Sequence, residues 1–396
     1  MIKYADRMKN VSGEALNDIL KYSSDPSIIS FSLGSPAKEV YPIEKIKEIM
    51  ATIMEKDAIP ILSYGISEGY LPLRKAFLEH IALAKGIEAS IENVIITTGA
   101  TQGIELISQT FINPGDVVLV ESPSFLTSLQ VFLKYGAILV GVDMDESGII
   151  LSDLESKIKE HNPKLIYTIP TFQNPSGKTL PIHRRKVIAS LAEEYDLLVI
   201  EDDPYCDLRY SGQVVPPIKS FDTNGNIILA NSFSKILAPG LRVGTIIAHK
   251  EIIDALVLAK GGADTNTTIM SQAICAEFLN QGLLPDHLKD MKPVYLERLN
   301  AMLDALSKYF PKECKYTIPE GGLFIWIDVP ESINTRELLS KAANEFKVSY
   351  VPGYPFFINP KDGDHSLRLN FSSNTPDNIQ EGVKRLGQLF YSIINE

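Results

Sequence analysis

Lys235 follows an apolar run, Ile227–Asn231, and lies between Ser234 and the apolar pair Ile236-Leu237. Most lysines sit in water. One held behind a buried strand loses solvation, which lowers its pKa and frees the neutral amine to attack a carbonyl. An amine of this kind and an aldehyde give a Schiff base. Asp202 follows a second apolar run, Leu197–Glu201, a costly place for a carboxylate unless a positive group meets it. Ser232 and Ser234 can donate hydroxyls, Arg242 offers a fixed forked cation, and Ala100 and Thr101 open a helix after Gly99. Free N–H groups and the helix dipole at such a start attract a phosphate. Taken singly, either serine reads as a loop cap, Arg242 as a surface ion pair and Asp202 as a helix cap.

What brings these residues together is the order of elements. From about residue 93, short β-rich apolar runs alternate with helical stretches such as Leu151–His161 and Ile182–Tyr195. The runs are Val94–Thr98, Val117–Glu121, Ala137–Val142, Leu165–Ile169, Leu197–Glu201, Ile227–Asn231 and Val243–Ala248. Near-continuous Val/Ile/Leu strands are buried on both faces, which predicts an α/β fold with a seven-stranded, mostly parallel sheet flanked by helices. Ligands then sit beyond the carboxyl ends of the strands. After residue 290 the rhythm changes: a long helix starts near Pro293, and Leu323–Val329 and Ser366–Phe371 read as strands before a closing helix. Residues 291–396 are therefore expected to form a smaller α+β domain joined by the N-terminal segment 1–48, with 49–290 as the large domain.

Composition excludes several classes. The 396 residues are 45% hydrophobic with a net charge of −11 and no basic tract, against disorder and against a nucleic-acid or anionic-membrane partner. No run approaches the ~20 apolar residues of a membrane span, and the start MIKYADRMKN lacks the core of a signal peptide. Cys206, Cys275 and Cys314 have no paired spacing and the histidines are dispersed, so neither a disulfide framework nor a metal site is expected, and the location is expected to be cytoplasmic. TFQNPSGKT (171–179) ends like a P-loop, but Phe172 stands where its first glycine is required.

A nucleophilic lysine, a phosphate cradle and an acid for a ring nitrogen are what pyridoxal 5′-phosphate (PLP) needs. SFSKILAPGLRVG (232–244) resembles the cofactor-lysine signature of class I aminotransferases of PLP fold type I. SYGISEGYLPLR (63–74), TTGATQGIEL (97–106), NPSG (174–177), EDDPY (201–205), PEGGLFIWI (319–327), VPGYPF (351–356) and LRLNFS (367–372) follow in the family's order, so the resemblance covers essentially the whole chain. It is nearest to the branch of 2-aminoadipate and kynurenine aminotransferases and the aminotransferase half of MocR-type regulators. A regulator would need a basic DNA-binding domain ahead of residue 1. The same fold also serves PLP-dependent lyases and synthases.

The resemblance implies roles. Lys235 carries PLP and moves the proton between Cα and C4′; the amino group passes from an L-amino acid to a 2-oxo acid, 2-oxoglutarate first among them, in ping-pong order. Asp202 holds the ring nitrogen protonated. Asn174 and Tyr205 reach O3′, and Pro175 with Gly177 shapes the loop. Phe125 stacks on the ring where the family usually has tyrosine. Ala100, Thr101, Ser232, Ser234 and Arg242 take the phosphate. Arg368 clamps the substrate α-carboxylate, with Asn174 and the backbone of Gly34 beside it. Tyr64 crosses to the neighbouring subunit's phosphate, which implies a homodimer with shared sites. The stretch Ser12–Lys21 holds no arginine where branches that bind acidic side chains often have one, which favours aromatic or aliphatic donors.

Overall fold

The computed structural model describes residues 2–11 and 13–394. Ser12, first residue of the arginine-free stretch, lies outside the described residues. After β1 (Ile29–Ser30), the large sheet takes β2 (Val94–Thr97), β3 (Val117–Ser122), β4 (Ile138–Asp145), β5 (Gly148–Ile149), β6 (Leu165–Thr168), β7 (Leu198–Asp202), β8 (Ile227–Ser232) and β9 (Gly244–Ile247). Their order is β2-β9-β8-β7-β6-β3-β4-β5. The neighbours from β4 across to β8 pair in parallel, while β9 runs antiparallel to both β8 and β2. Every residue of β2, β6, β8 and β9 is buried, as two helix-covered faces require.

The sheet has eight strands rather than the seven expected. The addition is β5, whose two residues fold back antiparallel on the end of β4 through the turn Glu146-Ser147, with Gly148 at φ +94° opening the strand. Two residues are too few to register as an apolar run.

The smaller sheet takes β10 (Lys315–Tyr316), β11 (Phe324–Asp328), β13 (Val351–Pro352) and β14 (Ser366–Asn370), ordered β10-β11-β14-β13. Near the other end of the chain, β1 pairs in parallel with β12 (Val348–Ser349). The helices Leu283–Tyr309 and Pro376–Ile394 pack on each other, and Leu299, Met302 and Leu306 of the first share one buried core with Val383, Leu386 and Phe390 of the second. The first of them begins ten residues before Pro293, correcting the expected start. Proline lacks the N–H that would bond the carbonyl of Lys289, but Lys289 is exposed, so water can take that oxygen and the helix runs on.

The registers align the chemistry. Asp202 at the end of β7 pairs with Ala230 on β8, and Ser232 at the end of β8 pairs with Gly244, the first residue of antiparallel β9. Gly244 in turn faces Thr97, the end of β2. Asp202, Ser232, Arg242 and the Gly99–Thr101 helix start thus reach one edge of the sheet.

Candidate active site

The corner nearest β2 is built for an anion. Gly99 has φ +83° and leads into the helix Ala100–Phe111, whose first N–H groups have no intrahelical partner. Arg242 takes a left-handed conformation, φ +53°, and its Nη2 donates to the Thr98 carbonyl at 3.2 Å. A Cβ on Gly99 would lie 2.4 Å from that nitrogen, so only glycine leaves room for the guanidinium. Among the described residues Arg242 has no ion pair with a carboxylate, which leaves its charge for a ligand. Ser232 Oγ accepts from the Ser234 N–H at 3.1 Å, holding the turn that carries Lys235. Behind this corner Asp264 accepts from Thr98 Oγ1 (2.9 Å), Gln102 Nε2 (2.7 Å) and the buried Lys260 (2.5 Å).

Lys235 is partly buried, and its Nζ donates to the Gly34 carbonyl at 2.7 Å. Burial, then the nearby charges of Arg368 and Arg242, lower its pKa to about 8. Some amine is therefore present near neutral pH. Asp202 is buried; its Oδ2 accepts from the Tyr167 hydroxyl at 2.7 Å, and its Oδ1 has no partner. Burial pushes its pKa up to about 7. A bare, buried carboxylate oxygen calls for a donor from outside the protein, and a pyridinium N–H is one. Phe125 packs on the core at the cap of the helix Leu126–Lys134.

Asn174 joins two functions. Its Nδ2 lies 3.4 Å from the Tyr205 hydroxyl, while its Oδ1 accepts from Arg368 Nη1 at 2.8 Å. Burial drives the Tyr205 phenol pKa upward, so the group stays protonated. Arg368 also donates through Nη2 to the Ser32 carbonyl at 2.7 Å, and its buried Nε lacks a partner. Its guanidinium lies 4.1 Å from the Phe324 ring centre and 5.1 Å from that of Phe356. Burial lowers its pKa to about 10, so it remains a cation. Gly34 is fixed by the same ring: a Cβ there would meet Phe324 Cζ at 2.4 Å.

Lys235, Gly34, Arg368, Asn174 and Tyr205 are thus linked by contacts, and Asp202, Ser232, Ser234, Arg242, Ala100 and Thr101 share the sheet edge. Tyr64 stands apart at 92% exposure, with no hydrogen bond or ring contact among the described residues. Sequence reasoning missed Tyr167, its partner Ser128, and the carbonyl of Ser32. Tyr167 lies inside an apolar run, where an aromatic reads simply as core; its hydroxyl was the available signal. The residues present fit PLP on each count: a phosphate corner kept open by Gly99, a lysine with a lowered pKa and an acid with a free oxygen.

The family model "Aminotransferase class I and II" matches residues 27–386. The aromatic-amino-acid aminotransferase 1 of Thermococcus litoralis is 39% identical over 97% of this chain and 93% of its own. The crystal structure of a multiple substrate aminotransferase from Thermococcus profundus superposes with a TM-score of 0.95 at 36% identity, over 99% of this chain and 98% of that one. The alpha-aminoadipate aminotransferase of Thermus thermophilus, solved with N-(5′-phosphopyridoxyl)-L-leucine, gives 0.91 at 34% identity over 99% and 98%. With its fold, its site and these relatives in agreement, the chain belongs to the class I and II aminotransferases.

Proposed function

We propose that this PLP-dependent transaminase takes its amino group from aromatic or aliphatic L-amino acids and passes it to 2-oxoglutarate in ping-pong order. The observation that carries the reading is Lys235, with its pKa lowered to about 8, beside the carboxylate clamp Arg368. The arginine-free stretch near the N-terminus and the aromatic-amino-acid aminotransferase among the relatives support the donor class.

PLP, when bound, supplies an aldehyde carbon and an electron-accepting ring. Ala100, Thr101, Ser232, Ser234 and Arg242 would hold its phosphate, Phe125 would cover the ring, and Asn174 with Tyr205 would donate to the ring oxygen. Asp202, through its free Oδ1, would keep a proton on the ring nitrogen. Lys235 would hold the aldehyde carbon and, when free of it, would carry the substrate Cα proton as base and acid. Arg368 holds the α-carboxylate by a charged hydrogen-bonded fork.

The large sheet lies within 49–290 and the small one within 291–396, which supports those boundaries with 1–48 joining the second unit. A homodimer is supported by Ile59, Leu62, Tyr64 and Ile66, which expose 55–92% of their surface on consecutive turns of chain. Three free cysteines support a reducing, cytoplasmic location; no described helix is long and apolar enough to cross a membrane.

The test mixes the holoenzyme with each common amino acid, alone and with 2-oxoglutarate. Expected are one equivalent of oxo acid per site without acceptor, turnover to glutamate with it, and no borohydride-reducible cofactor link in Lys235→Ala. Steady release of ammonia and pyruvate without a second oxo acid would mark a lyase and overturn the reading.

A further inference from the structure

Among the described residues, no cation acts on Asp202. The titratable groups around it are Tyr167, Asp203, Glu121 and Tyr205, all neutral or acidic. Among the described residues its one side-chain hydrogen bond comes from Tyr167, across the parallel pair β6–β7. Tyr167 is fully buried, and its own hydroxyl oxygen accepts from Ser128 Oγ at 2.9 Å. Ser128, also buried, lies in the first turn of the helix Leu126–Lys134, whose N-cap is Phe125. The same helix holds the tyrosine ring: Phe132 meets it edge-on at 5.4 Å and 67°.

Burial keeps Tyr167 a neutral phenol, so it serves Asp202 as a donor at any working pH. A donated hydrogen bond favours the ionised carboxylate over the acid and leaves Oδ1 as the one free oxygen. Ser128 in turn occupies the phenol oxygen, so the hydroxyl proton points to Asp202 and nowhere else.

We propose that Tyr167, backed by Ser128, is the positioning residue that keeps Asp202 ionised and aims its free oxygen at the cofactor's ring nitrogen. The proposal rests on the transaminase reading above. It also means that one helix sets both the ring's face, through Phe125, and the ring's nitrogen, through Ser128.

The experiment compares wild type, Tyr167→Phe, Ser128→Ala, Asp202→Asn and the Tyr167→Phe/Asp202→Asn pair, all loaded with PLP carrying 15N in the ring. Nitrogen NMR reads ring protonation against pH, and single-turnover kinetics reads the half-reaction. Without the phenol, Asp202 takes up a proton at higher pH, so the acid limb of the rate profile moves up. Ring protonation weakens near neutrality, and the rate falls on the order of ten- to a hundredfold with KM little changed. In the Asp202→Asn background the same substitution costs only a few-fold, because the group it serves is gone. Ser128→Ala shifts the same readouts less, and decides the matter if Tyr167→Phe fails to fold. Unshifted nitrogen protonation and acid limb, or an equal cost in both backgrounds, would overturn the proposal. Failure of wild type itself to bind PLP through Lys235 would instead overturn the transaminase reading, so the two failures are told apart.

Discussion

Arg368 is a cation kept in an apolar sandwich of Phe324 and Phe356, hydrogen-bonded to the neutral acceptors Asn174 and Ser32 rather than to an acid. A buried guanidinium with no counter-ion among the described residues and with a spare Nε is poised for an incoming carboxylate. Every amino acid and oxo acid substrate brings one. Arg368→Ala should therefore weaken all substrates alike, by about 2–5 kcal/mol in kcat/KM, the cost of leaving half of a charged pair unmade. Steady-state kinetics on an aromatic donor, an aliphatic donor and 2-oxoglutarate checks this; loss confined to one of them would assign Arg368 to a side-chain pocket. Asn174 couples this clamp to Tyr205, so the same substitution should also disturb the cofactor's absorbance slightly.

Strands β3 and β7 carry carboxyls into the sheet: Glu121, Glu201 and Asp202, each pushed by burial up to about 7, with Asp203 shifted the same way. Their folded pKa values lie above their unfolded ones. The folded protein thus holds protons that the unfolded chain has released, and that contribution to stability is lost as pH rises through 7. His287, held low by burial, acts in the opposite sense but is one group against several. The melting temperature of cofactor-free protein should fall between pH 5 and pH 8, and by less with PLP bound, since the ring nitrogen gives Asp202 a proton partner. A rise across that window by calorimetry would contradict it. These acids also mark what was legible beforehand. The alternation of apolar runs and helices exposed the parallel sheet, and the strand ends placed Lys235, Asp202 and Arg242 at one edge of it. Burial of Glu201 was hidden, because it accepts the N–H groups of Ile218 and Lys219 from a turn seventeen residues on. Tyr167 was hidden for a like reason: its reach to Asp202 depends on which strand lies beside β6, and local pattern does not carry register between distant strands.

The homodimer proposed above would give the exposed Tyr64 and its apolar neighbours a partner. If Tyr64 completes the partner's phosphate site, chains bearing Tyr64→Ala and chains bearing Lys235→Ala should complement each other. In the mixed dimer, the site on the Tyr64→Ala chain keeps its lysine and borrows an intact tyrosine, while the other site carries both defects. Isolated heterodimers should recover activity near half of wild type, where Tyr64→Ala alone is impaired at limiting PLP. No gain over the parent homodimers would place Tyr64 in its own chain's chemistry. Within one chain, a different closure is at work. The strand Ile29–Ser30 is stitched to Val348–Ser349, and just beyond it Ser32 and Gly34 receive Arg368 and Lys235. During synthesis the first thirty-odd residues leave the ribosome long before these partners exist. A nascent chain extended to residue 300 already holds every strand of the large sheet, yet its lysine has half a pocket and its strand Ile29–Ser30 still lacks Val348–Ser349. The active centre is therefore among the last parts to form, and a chain cut short by a few dozen residues would fold much of its bulk without Arg368, the arginine proposed to clamp substrate.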